Sequence, residues 1–473
     1  GYVGFWRSYL RRYPQKDVAA HIVGHVGAVT REELTGDPLL EIPDFKIGKT
    51  GVEKAYDLAM RGRAGTMQVE VNAFGRVIRN LSREPGRRGE DLSLTIDMPL
   101  QRFAMKRLAR EKSAAAVAMD IHNGEVFALA STPSYDPNAF IEGMTTEEWR
   151  TLSTDTLSPL QNKCAAGLYH PGSTIKQMVM LAALEAGVDP KETVFCRGHY
   201  EYEDERFHCW KRSGHGHTDA IKAIAESCDV YFYEMALRIG IDRIAAMMRR
   251  FGLGAPIGID FGAEAGGVVP TRDWKLANIG DRWRIGDTIV ASIGQGYMLS
   301  TPLQLAVMQA RLVNGGYAVR PRLSRMLFEE ERGLYAPGAA PPIGIPRAHL
   351  DLVKRGTDDV VNHNAGTARK LKIENPAFAF GGKTGTAQVR RITMAERERG
   401  VRKNEDLPWE QRDHALFVGY APLAAPRYAV SVVVEHGGGG SAVAAPLARE
   451  LLIAALRRDP SKGAPRPGVA QAG

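Results

Sequence analysis

Apolar positions along this chain change their spacing several times, and each change marks a structural element. Near the start they form short strand-like runs such as Met67 to Val71, set among Gly, Lys and Arg, until Arg83-Glu-Pro-Gly-Arg-Arg-Gly89 breaks the pattern as a linker does. Leu92 to Ile96 reads as a strand and Leu100 to Leu108 as an amphipathic helix. Ala115 to Asp120 and Glu125 to Ala130 flank His122-Asn123-Gly124, a hairpin signal. From about 135 to 375 the spacing is mostly helical with long loops, including an apolar-rich run from Thr174 to Gly187 that ends in glycine. Lys383 to Val389, Ala415 to Tyr420 and Tyr428 to Val434 then read as strands, and Ala444 to Leu456 as a closing helix.

Hairpin, helices, three strands and a last helix predict an α+β fold, an antiparallel sheet flanked by helices. The pattern divides into a small N-terminal domain over 1–90 and a main domain over 91–458. A Pro, Gly and Ala-rich tail over 459–473 is expected to be disordered. Arg390 to Arg412 is a highly charged excursion between strands and is read as a solvated loop.

Length and composition support more than one core: 473 residues, 44% hydrophobic and 25% charged. The net charge of +8 is spread among interspersed acids and bases, which describes a mixed solvated surface and no nucleic-acid module. No apolar run approaches the roughly 18 residues of a membrane span, and Gly1 to Trp6 is not a signal peptide. As given, the chain is expected to be soluble.

Candidate chemistry lies in three ordered motifs. Tyr169-His170-Pro171-Gly172-Ser173-Thr174-Ile175-Lys176 is followed by Ser227-Cys228-Asp229 and then by Lys383-Thr384-Gly385-Thr386. A serine with a lysine three residues on, then Ser-x-Asn/Asp, then Lys-Thr-Gly, is the ordered signature of serine acyl-transferring enzymes that react with penicillins. Decoys occur at Lys49-Thr50-Gly51, Ser134-Tyr135-Asp136 and Ser153-Thr154-Asp155, yet Ser-x-x-Lys occurs once, and only the later copies follow it in order. Pro171-Gly172 is a turn signal, so Ser173 opens a helix. At that spacing Ser173 and Lys176 share one face, as a nucleophile and its base require, beside free N–H groups that favour a developing oxyanion. The strand-like Lys383 to Val389 offers an edge for an extended peptide. His170 is read as a loop or pocket residue, since Ser-x-x-Lys already supplies a base. Trp210 and Tyr297 could equally line a cleft or pack in a core.

These residues resemble class B penicillin-binding proteins, the elongation type in particular. The likeness runs through Ile47 to Glu53, Val71 to Val77, Ala130 to Pro137, Tyr169 to Lys176, Gly286 to Ile289, Ile293 to Tyr297, Lys383 to Val389 and Val418 to Pro422. It implies the penicillin-binding transpeptidase fold with residues 1–90 as a pedestal of the dimerisation type, where the Lys49-Thr50-Gly51 decoy falls. It implies a D,D-transpeptidase that cross-links peptidoglycan stem peptides and is inhibited by β-lactams, with no cofactor required for the chemistry. By resemblance, Ser173 attacks the penultimate carbonyl of D-alanyl-D-alanine. Lys176 acts as base, kept neutral by burial and by Lys383, and Ser227 passes a proton to the leaving amine. Lys383, Thr384 and Thr386 hold the terminal carboxylate, Gly385 belongs to the same substrate-binding strand, and the N–H groups of Ser173 and Thr386 form the oxyanion hole. Asp229 stands where the general pattern has Asn. A carboxylate donates no hydrogen bond unless protonated, so pairing with Lys176 or Lys383 is expected instead.

Family members begin with a cytoplasmic stub and one membrane helix, and the sequence is read as a truncated form of such a protein. The resemblance therefore implies anchorage in a bacterial inner membrane with the catalytic domain in the periplasm. It implies a SEDS-type glycan polymerase and elongation-machine scaffold proteins as partners.

Cys196, Cys209 and Cys228 lie within 33 residues, interleaved with His208, His215 and His217, and Cys164 stands apart. A disulfide leaves one of the three thiols over. A structural zinc on Cys196, Cys209, His215 and Cys228 uses all three, and some family members carry a metal at the matching loop through Asp, His and Cys. A disulfide, unlinked core cysteines, and His208 in place of His215 remain alternatives. A serine β-lactamase and a non-catalytic β-lactam or peptidoglycan sensor are the competing functions. The first would need a deacylating base, which no residue marks; the second could keep the same acylation chemistry.

Overall fold

The computed structural model describes residues 10–462 apart from 43, 64, 326–339, 391–395 and 397–398. The expected tail beyond 462 and part of the charged excursion lie outside the described residues. Five strands build the central sheet: β1 (Ala114–Asp120), β2 (Val126–Thr132), β3 (Gly381–Ala387), β4 (His414–Ala421) and β5 (Tyr428–Val434). Every pairing is antiparallel, in the order β3-β4-β5-β1-β2, which leaves β3 at one edge.

Side-chain alternation explains why both faces of the sheet are covered. Along β1, Ala114, Ala116 and Ala118 enter one buried cluster, while Ala115, Val117 and Met119 enter another, as a period of two demands. Around the sheet lie α1 (Met98–Leu108), α2 (Lys176–Glu185), α3 (Asp229–Ile239), α4 (Pro302–Val313), α5 (Arg347–Asn362) and α6 (Ala445–Arg458). Local chemistry fixes their starts. Asp97 accepts the Leu100 N–H at the head of α1, and Thr301 with Gln304 forms a capping box on α4. All of α2 except Glu185 is buried. A helix apolar on every side is a central helix, and this one carries Lys176 inward at its first turn.

The N-terminal segment leans on the far side of the sheet. Ile22, Val52 and Tyr56 share the cluster of Ala115, Val117 and Met119. Tyr56 Oη donates to Asp260 at 2.8 Å, and His21 Nε2 lies 2.7 Å from the Pro159 carbonyl. Beyond these contacts a two-stranded hairpin, Thr66–Val71 with Val77–Glu84, carries Phe74 at its exposed tip.

Two details depart from the sequence reading. The hairpin strand runs to Glu84, into the expected linker, because its own pairing with Thr66 continues the ladder. Leu92 to Ile96 is not a strand: Leu94 makes a single bridge to Ser324, and burial alone accounts for its apolar spacing.

Candidate active site

Ser173 sits in a tight 3-10 turn, Gly172–Ile175, that runs directly into α2. Gly172 has φ +54°, and a Cβ there would lie 2.6 Å from the Thr386 carbonyl oxygen. Glycine is therefore what lets the nucleophile turn press against the edge strand β3. Gly440, in the run Gly437 to Gly440, does the same from the other side, since a Cβ there would lie 2.2 Å from Gly385 O.

The three motifs meet at one cleft of about 1090 Å³, whose walls include Ser173, Ser227, Asp229, Thr384, Gly385 and Thr386. Lys176 and Lys383 lie beneath it, both fully buried. Lys383 Nζ donates to Ser227 Oγ at 2.9 Å, and Lys176 Nζ lies 3.2 Å from the same oxygen and 3.0 Å from the Ser227 carbonyl. Lys176 also forms an ion pair of 2.6 Å with Asp229 Oδ1. Asp229 Oδ2 accepts the Trp210 backbone N–H at 2.8 Å, so both carboxylate oxygens are engaged inside the protein, in line with the expected pairing.

Electrostatics sharpen this picture. Burial pushes the Asp229 carboxyl up, against the pull of Lys176. Burial first, and the Lys176 charge second, push the Lys383 amine well below the usual lysine range. The downward push falls on Lys383, while Lys176 is held by its ion pair with Asp229.

The decoys lie elsewhere. Lys49 pairs with Glu33, Ser134 donates to the Asp17 carbonyl, and Ser153 lies on the exposed helix Thr146–Thr154. His170 Nδ1 lies 2.8 Å from the Met298 carbonyl, in a loop role. Trp210 lines the cleft, whereas Tyr297 packs against Trp274 and under Lys275.

Sequence reasoning missed three parts of the wall. The hairpin His199–Tyr202 with Glu205–His208 contributes His199, Arg206 and Phe207. Thr367 Oγ1 lies 2.9 Å from Thr384 Oγ1, a contact that no local signal announces. The four-glycine run, by contrast, was a visible signal of close backbone approach.

Beside Ser227, Cys196, Cys209, His215 and Cys228 are buried together with all four candidate ligand atoms within 4.8 Å of one another. None of these cysteines is in a disulfide. His215 Nδ1 lies 3.5 Å from Cys209 Sγ and 3.6 Å from Cys196 Sγ. A tetrahedral zinc with ordinary bond lengths separates sulfur and nitrogen donors by about 3.5 Å, so the donor set fits that ion. Hydrogen bonds from the Cys228 thiol draw Cys196 and Cys209 towards the thiolate. His215, not His208, completes the set.

The penicillin-binding protein transpeptidase domain model matches residues 114–453, and the penicillin-binding protein dimerisation domain model matches 3–94. The chain belongs to the penicillin-binding protein transpeptidase family. Within that family it is 38% identical to peptidoglycan D,D-transpeptidase MrdA of Haemophilus influenzae, over 94% of this chain and 69% of that protein. The solved complex of penicillin-binding protein PBP2 with MreC from Helicobacter pylori matches with a TM-score of 0.84 at 31% identity, covering 95% of this chain and 79% of the other. Pseudomonas aeruginosa PBP2 in complex with WCK 5153 matches with a TM-score of 0.79 at 37% identity, covering 95% and 92%. The α+β expectation agrees with these penicillin-binding protein structures and with the five-stranded sheet.

Proposed function

We infer that the chain is a peptidoglycan D,D-transpeptidase that forms its acyl-enzyme on Ser173. The observation that carries this reading is the Ser227 hydroxyl, held 3.2 Å from Lys176 and 2.9 Å from Lys383 at the base of the cleft that presents Ser173. One carboxylate, Asp229, faces two fully buried amines. Two ammonium groups there would repel each other, so the site holds one proton fewer, and the vacancy passes between Lys176 and Lys383 through Ser227.

With the vacancy on Lys176, its amine takes the Ser173 proton as Oγ attacks the carbonyl of the penultimate D-alanine. Ser227 returns that proton to the nitrogen of the departing D-alanine. The N–H groups of Ser173 and Thr386 hold the oxyanion. Thr384 and Thr386, backed by Lys383, hold the terminal carboxylate, and Gly385 keeps the strand between them bare. An amine of a neighbouring stem then takes the acyl group. A β-lactam enters the same step, but its opened ring stays tethered to the acyl carbon, so the adduct persists.

The chemistry itself needs no cofactor. Cys196, Cys209, His215 and Cys228 hold a structural zinc that ties the loop before α3 to the motif bearing Ser227 and Asp229. Residues 1–90 serve as the pedestal, 91–458 as the catalytic domain and 459–473 as a tail. No helix among the described residues is long and apolar enough to cross a membrane. The catalytic domain works in the periplasm, tethered to the inner membrane. A SEDS-type polymerase and elongation scaffold proteins are its partners; a related protein's complex with MreC supports the scaffold.

Intact-mass measurement after penicillin exposure tests the reading. Wild type gains one persistent penicilloyl group and Ser173→Ala gains none. Rapid release of hydrolysed penicillin would point to a β-lactamase, and failure to release D-alanine from a stem peptide would point to a sensor.

A further inference from the structure

Trp210 follows Cys209 directly and stands at the cleft, 59% exposed, yet both of its N–H groups turn inward. Its backbone N–H donates to Asp229 Oδ2 at 2.8 Å. Its indole N–H is shared between the carbonyl oxygens of Ser227 at 3.0 Å and Glu226 at 3.1 Å. The Ser227 carbonyl also accepts from Lys176 at 3.0 Å, so the indole and the amine grip one oxygen.

That grip acts on an unusual backbone. Ser227 has φ +56°, in the left-handed region that a residue with a side chain leaves unless its surroundings hold it there. Rotation of its peptide would turn the carbonyl away from Lys176 and carry the hydroxyl out from between Lys176 and Lys383.

We propose that Trp210 is a positioning residue: its indole N–H locks the Ser227 carbonyl and so keeps the Ser227 hydroxyl on the line between the two lysines. The ring also meets His215 edge-on at 5.6 Å. One side chain therefore joins the cysteine–histidine cluster to the proton path, through hydrogen bonds to the main chain and without touching a reacting atom. The inference rests on the proposed role of Ser227 in proton transfer.

The experiment uses the full chain and two replacements at position 210. Trp210→Phe keeps an aromatic ring without the N–H. A benzothienyl analogue of tryptophan, incorporated at 210, keeps the shape and puts sulfur where the N–H was. Each is read by the limiting acylation rate with penicillin, the apparent affinity, bound zinc and the thermal midpoint. The expected result is an acylation rate about tenfold lower or more in both, with affinity, zinc content and midpoint unchanged, and recovery of the rate with 7-azatryptophan, which retains the N–H. An unchanged acylation rate in the benzothienyl protein overturns the proposal, as does a rate that falls only in proportion to lost zinc. Absence of any adduct on the wild-type protein would instead strike at the assignment of Ser173.

Discussion

Lys383 and Ser227 are joined by a 2.9 Å hydrogen bond that spans 156 residues of sequence. The amine at one end is fully buried and held well below the ordinary lysine range, by burial first and by Lys176 second. The charged form of this amine is therefore less favourable in the folded chain than in the unfolded one.

Burying the charged amine opposes folding, and that penalty shrinks as pH rises toward the range where an unfolded lysine deprotonates. Lys383→Met is expected to abolish penicillin acylation and to raise stability near pH 7 by about 1 kcal/mol or more, as apolar replacements of buried ionisable groups do. The gain should diminish near pH 10. Thermal unfolding at both pH values checks this, and a variant less stable than wild type at pH 7 would refute it.

The cluster beside Ser227 makes a second claim testable. Cys228→Ser is expected to lose bound zinc in native mass measurement, to unfold at a lower temperature and to acylate at least about tenfold more slowly. A Cys228→Ser protein that has lost zinc yet acylates at the wild-type rate would sever the cluster from the catalytic motif.

A third prediction concerns acid. His21, at the junction with the catalytic part, is pushed down to about 4 by burial, although its bond to Pro159 O opposes the shift. Its folded pKa is below the unfolded value near 6.5, so the unfolded state binds more protons between those values, and stability falls as pH drops through that window. By pH 4.5 this amounts to about 2 kcal/mol. His21→Gln, which cannot take up that proton, should lose less thermal stability between pH 7 and 4.5. Parallel losses in the two proteins would exclude His21 as a source of acid sensitivity.

Much of this molecule is legible in its residues, for physical reasons. Tyr428–Val434 was recognisable as a strand because both its faces are apolar and β-branched residues fill it. Ser173 and Lys176 were recognisable because a fixed helical spacing sets their relation. The hydrogen bond from Lys383 to Ser227 was not, because it depends on a fold that brings together residues 156 apart. The hairpin His199–Tyr202 with Glu205–His208 escaped notice because its strands are polar, short and only partly buried, leaving no periodic signature.

Strand β3 pairs on one side alone. An acyl donor laid along its open side, as the proposed function requires, would meet main-chain groups, which are the same in every peptide, so that grip could not distinguish one residue from another. Discrimination has to come from the surrounding rim, where the polar hairpin at 199–208 and Val401 face the opening. Changes there can alter which stems or drugs are accepted while the reacting atoms stay as they are.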